Sequence, residues 1–99
     1  MQVINYNEDY TNILNAKYNL MIAYSIVENE NWTIIHENIL KSDNYISNII
    51  NKIDENDYNQ YNKKQAYIAI KELENLINIK DKDIFYLKYN IAIEKLNSL

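Results

Sequence analysis

At 99 residues the chain has room for one domain with a single core, and it contains no Gly, Pro, Cys or Arg. The missing Cys excludes disulfides and thiolate chemistry, and the missing Gly excludes the phosphate-cradling loops of P-loop and Rossmann sites. A net charge of −4 and the absence of Arg oppose direct contact with nucleic acid.

The composition is also skewed toward 18 Asn, 18 Ile and 10 Tyr. Their codons are built from A and T, so an AT-rich genome accounts for much of the bias. That setting suits a low-GC bacterium, its phages and plasmids, or an AT-rich virus. No charged segment leads into an apolar one at the start, and the longest apolar run, Leu20 to Val27, is interrupted by Ser25. It falls well short of the ~18 residues a membrane span requires. The expected location is the cytoplasm of a bacterial or host cell, with no membrane contact. The sequon at Asn31-Trp32-Thr33 is then a chance match in an Asn-rich chain.

Taken in chain order, the apolar spacing is helical throughout. A first helix is predicted from Glu8 to Val27, with Tyr10, Ile13, Leu14, Leu20, Met21, Tyr24 and Val27 on its apolar side and Ala16 and Ala23 as small contacts. Glu28-Asn29-Glu30-Asn31 connects it to the next helix. Lacking Gly, that turn is expected to use Asn in the left-handed region. The second helix follows Asn31 as N-cap and runs from Trp32 to Ile53. Trp32, Ile35, Ile39, Ser42, Ile46, Ile49 and Ile53 step by alternating threes and fours, which is a bundle seam. Only Ser42 interrupts it, and Ser42-Asp43-Asn44 offers a place for a kink or a split.

Asp54-Glu55-Asn56-Asp57 forms the second polar break. A third helix then presents Tyr61, Ala66, Ala69, Ile70, Leu73, Leu76 and Ile77 on one side. After Lys80-Asp81-Lys82 a last helix starts at Asp83, with Phe85, Tyr89, Ala92, Leu96 and Leu99 as its stripe, widened by Leu87 and Ile91. Glu8, Asp9, Asp57, Asp81 and Asp83 are placed to complement helix N-termini. With no strand or hairpin signal, the expected fold is all-α: an antiparallel four-helix bundle spanning residues 1–99 as one helical domain.

The stretch from Tyr67 to Leu73, with Leu76, Ile79 and the acidic turn after it, resembles the second helix of a tetratricopeptide repeat. The resemblance covers about 20 of the 34 residues of one repeat. That family carries a Gly in its first helix and a Pro at its turn, and this chain has neither. It implies a helical-repeat adaptor, while an ordinary amphipathic helical hairpin gives the same letters.

Catalytic and metal chemistry find little to work with. His36 is the only His, which rules out the paired-His zinc and di-iron patterns, and its place on a helix makes it a surface residue. Asp54 and Asn56 open like a calcium loop, but Tyr58, Asn59 and Gln65 occupy the positions for a ligand, the Gly and the bidentate Glu. Glu72 and Glu74 are two apart on a helix and do not face each other. No enzyme activity, cofactor or metal is expected.

Contact between surfaces remains. Residues 1–56 carry three lysines against eight acids, and residues 57–99 carry seven lysines against six acids. The acidic half suits a basic surface on a larger protein, including a nucleic-acid-binding protein. Tyrosines among acids make a good binding patch, because Tyr buries a large area at low entropic cost. The expected partner-binding residues are Glu28, Glu30, Glu37, Asp43, Tyr45, Asp54, Glu55, Asp57, Tyr58 and Tyr61. The expected function is a small acidic protein-binding module: a phage- or plasmid-type inhibitor, an immunity protein or an antitoxin-like regulator. The alternative is a self-associating structural protein, a homodimer for example, using the regular seams of the second and fourth helices.

Overall fold

The computed structural model describes residues 2–52 and 57–99, and the side chains of residues 10–50 and 63–99. It is an antiparallel four-helix bundle: α1 (Gln2–Ser25), α2 (Trp32–Lys52), α3 (Asp57–Ile77) and α4 (Lys82–Asn97). A single 3-10 turn, Val27–Asn29, lies between α1 and α2. Each helix packs on the next, and α4 returns against α1 to close the ring. The result is a rod of 45 × 19 × 17 Å. Among the described residues there is no strand. Nor is any of these helices long and apolar enough to cross a membrane.

The α2 seam behaves as its spacing predicts. Ile35, Ile39, Ile46 and Ile49 are buried, and Trp32 packs partly against the core beside Phe85, with ring centroids 5.9 Å apart. Ile53 lies outside the described residues. Ser42 is also fully buried, and the helix runs unbroken through residues 42–44. No second helix starts there because the Ser42 hydroxyl is committed elsewhere: it donates to the carbonyl of Ala16 on α1, at 2.6 Å. A small polar residue in the seam thus brings α1 and α2 close and satisfies its own hydroxyl.

α1 departs from its predicted form in two ways. It begins at Gln2 rather than Glu8, so Glu8 and Asp9 lie beyond its first turn and do not act there on the helix dipole. Its buried face is carried by Ala16, Leu20 and Ala23, with Val27 just beyond the helix, and Ile13 packs partly on the core. Tyr10, Leu14, Met21 and Tyr24, expected inside, are exposed. The small contacts Ala16 and Ala23 lie inside as expected, with Leu20 and Val27, and only the bulkier residues flanking them turn outward. A ring of four helices leaves little room, and alanine admits a neighbouring backbone where tyrosine does not. Ala66, Ala69 and Ala92 do the same work on α3 and α4, around Leu73, Leu76, Phe85 and Leu96.

The turns hold a further correction. The left-handed residue between α1 and α2 is Glu30, at φ 55°, and no Asn is in that region among the described residues. Glu30 N–H closes the 3-10 turn onto the Val27 carbonyl at 2.9 Å. Asn29 instead belongs to the 3-10 turn, and Asn31 caps α2 as predicted, its Oδ1 accepting from Ile34 N–H at 3.4 Å. Asp81 caps α4 by accepting from Ile84 N–H at 3.0 Å, so that helix starts at Lys82.

Candidate functional site

An antiparallel bundle sorts its connections to two ends. The turns around residues 26–31 and 78–81 share one end, the loop end, and the end of α2 and the start of α3 lie at the other. α2 has 21 residues, so the ends are about 30 Å apart at 1.5 Å per residue. Of the ten expected partner-binding residues, the structure describes the side chains of five: Glu28, Glu30, Glu37, Asp43 and Tyr45. Glu28, Glu30 and Glu37 belong to the loop end, and all three are exposed. Asp54 and Glu55 lie outside the described residues, as do the side chains of Asp57, Tyr58 and Tyr61 at the start of α3. Asp43 and Tyr45 sit on α2 between the two groups. At 100° per residue they take opposite flanks, Tyr45 on the α1 side and Asp43 on the α3 side. Both are half-buried, and Tyr45 packs against the core.

At the loop end Glu28 is tied across to α4. Tyr86 donates its hydroxyl to Glu28 Oε2 at 2.6 Å, and Lys82 donates to Oε1 at 3.3 Å. The Tyr86 bond first, and then Lys82, hold the Glu28 carboxyl below its usual range. The same bond pushes the Tyr86 phenol up to about 12. Tyr24 from α1 completes the cluster. Its ring packs 4.4 Å from Tyr89 and 5.2 Å from Tyr86 edge-on, centroid to centroid. The other connection contributes Asp81 and Asp83, with Lys80. Lys82 feels Glu28, Glu30 and Asp83, and its ammonium is held above its usual range chiefly by the Glu28 bond. His36 ties α2 to the 78–81 connection: its Nε2–H donates to the Ile79 carbonyl at 3.0 Å.

The sequence reading missed the aromatic part of this end. Tyr86 and Tyr89 stand three apart at the start of α4, and Tyr24 stands in the last turn of α1, so short connections were the available signal that they meet. It also missed a groove between α2 and α3, a cavity of about 560 Å³ lined by Asp43, Ser47, Ile50, Tyr67, Ile70, Lys71 and Glu74. Burial holds the Asp43 carboxyl above its usual range. The Ser47 hydroxyl, donating at 3.2 Å, offsets part of this, and the Glu74 charge adds to it. Glu74, whose sequence neighbour Glu72 does not face it, thus has Asp43 as its acidic neighbour across the groove. Among the described residues no group of three His, Asp or Glu could hold a metal ion.

The chain matches no protein-family profile, no curated protein and no solved structure.

Proposed function

We propose that this protein is a small acidic protein-binding module. In this reading it is a phage- or plasmid-type inhibitor or regulator, anti-defence, immunity or antitoxin-like, that occupies a basic surface on a larger protein. The observation that carries the reading is the loop end. Glu28 and Glu30 from the first connection, Glu37 from the start of α2, and Asp81 and Asp83 at the start of α4 lie toward that end, with Lys80 and Lys82 among them. Lys82 is paired with Glu28, and Glu30, Glu37, Asp81 and Asp83 are exposed to solvent. The Tyr24–Tyr86–Tyr89 cluster beside them supplies aromatic area of the kind interface centres favour.

The discriminating experiment is affinity capture from the native host at low salt, run in parallel with a triple reversal, Glu30→Lys, Glu37→Lys and Asp83→Lys. The expected result is a retained protein that the reversal loses and that moderate salt weakens. Capture of no macromolecule, or equal capture by the reversed variant, removes the reading.

A further inference from the structure

One flank of α1, next to its core-facing stripe and on the α4 side, is apolar. Tyr10, Leu14, Met21 and Tyr24 are 57%, 46%, 55% and 44% exposed, and Tyr18 beside them is 63% exposed. With Lys17 they make a second seam, at 10, 14, 17, 21 and 24, stepping by fours and threes. That is the pattern of a helix with a partner on its outer side as well as its inner one.

The charge along this helix says what the partner is. From residue 10 to residue 27 the chain carries no Asp or Glu, although it has 14 acids in 99 residues, and Lys17 is its one charge. Two copies of a protein of net charge −4 repel each other over most of their surfaces. The outer face of α1 is a long surface where they do not. It is also self-complementary. In an antiparallel pair with the two-fold axis between positions 14 and 17, Leu14 meets Lys17 of the second copy, and Tyr10 meets Met21. Each lysine can lay its stem on a leucine and carry its ammonium out to water. A lone Lys in an apolar seam costs stability and fixes the register, its usual role in paired helices. The five exposed side chains present on the order of 600 Å² per copy, so about 1,200 Å² for the pair is the ceiling, reached when all five are fully covered, and it meets the lower bound of specific interfaces.

We propose that a second copy of this chain covers the outer face of α1, giving a two-fold antiparallel dimer. The seams of α2 and α4, expected from sequence to join subunits, are used inside the bundle. The other exposed stripe, Ile84, Leu87 and Ile91 on α4, is shorter and shares its face with Glu94, so it suits self-pairing less.

Sedimentation equilibrium of the full chain, from low to high micromolar, tests this. Wild type is expected to pass from monomer to dimer. Leu14→Asp with Met21→Asp should stay monomeric while keeping the helical circular dichroism of wild type, since both side chains point outward. Lys17→Leu should tighten the dimer by about tenfold or more, because it removes the seam's polar interruption. Leu87→Asp should leave dimerisation unchanged. A wild type that stays monomeric overturns the proposal, as does a Lys17→Leu variant no tighter than wild type, or a dimer lost through Leu87→Asp but kept without Leu14 and Met21. The substituted residues Leu14, Lys17, Met21 and Leu87 are not among the loop-end acids or tyrosines, so these outcomes leave the loop-end reading untouched; Tyr24 alone belongs to both surfaces.

Discussion

Three residues are decided by what surrounds them more than by what they are. Ser42 would be a seam defect anywhere else, yet its hydroxyl bonds the Ala16 carbonyl across the α1–α2 contact. Ser42→Ala should cost only about 1 kcal/mol, because it deletes one hydrogen bond and leaves no buried donor unpaired. Ser42→Leu should cost about 1–3 kcal/mol or more by forcing α1 off α2. Urea denaturation of both variants checks the order, and an alanine more damaging than the leucine would refute it. Asp43 lies under the groove with its carboxyl held up by burial. A raised acid binds its proton more tightly in the folded state. Its stabilising contribution is therefore complete below the ordinary value of 3.8 and is lost as pH rises through the raised one. Asp43→Asn keeps an acceptor for the Ser47 hydroxyl and removes the charge. It should raise the melting temperature near neutral pH and leave it unchanged in strong acid. Tyr86 has the corresponding signature in alkali. Its hydrogen bond to Glu28 favours the protonated phenol, so that contribution is whole below 10 and disappears as pH climbs to about 12. In an ultraviolet titration of the phenols, Tyr86→Phe should remove the latest-titrating component, and a spectrum that loses an early component would contradict the bond.

At the scale of elements, helix type and order were legible in the sequence because period and punctuation agreed. The α2 seam and the Asn31 cap lie where the letters put them, while α4 starts one residue before the expected Asp83, behind Asp81 as its cap. What was not legible has a common physical cause, namely competition that only packing resolves. Spacing cannot say whether Tyr10, Leu14 and Met21 or Ala16 and Ala23 face inward, since both sets recur at threes and fours on α1. The close approach of α2 settles it for the alanines. The site was less legible than the fold, because Tyr24 and Tyr86 were brought together across 62 positions of chain. The turn between α1 and α2 shows the limit of residue preference. Asn tolerates the left-handed region better than Glu, yet Asn31 is held by its capping role and Asn29 by the 3-10 turn, so Glu30 takes the strained position. Glu30→Gly should therefore stabilise the protein by about 0.5–1 kcal/mol, with Glu30→Asn doing so less. Thermal melts of the two variants decide the matter, and a loss of stability in both would mean that the Glu30 side chain matters more than its backbone.

The whole molecule carries two surfaces of different physical kinds, and salt separates them. The loop end is acidic, and the attraction to a basic partner proposed for it is long-range. Going from about 0.01 M to 0.15 M salt shortens the screening length from about 30 Å to about 8 Å. That should slow association with the partner and weaken it, mainly through the on-rate. The outer face of α1 answers in the other direction. Pairing there is driven by burial of Tyr, Leu and Met, and it is opposed by two net charges of −4 being brought together. Screening removes the opposition and leaves the burial intact, so the dimer should tighten over the same salt range in which partner capture fades. Sedimentation equilibrium and partner capture, each run along one salt series, give the two slopes. Slopes of opposite sign assign the two contacts to two surfaces. A dimer that weakens with salt would mean that the copies join through opposite charges, with the acidic loop end of one on lysines of the other, and the α1 seam would then be left without a role in pairing.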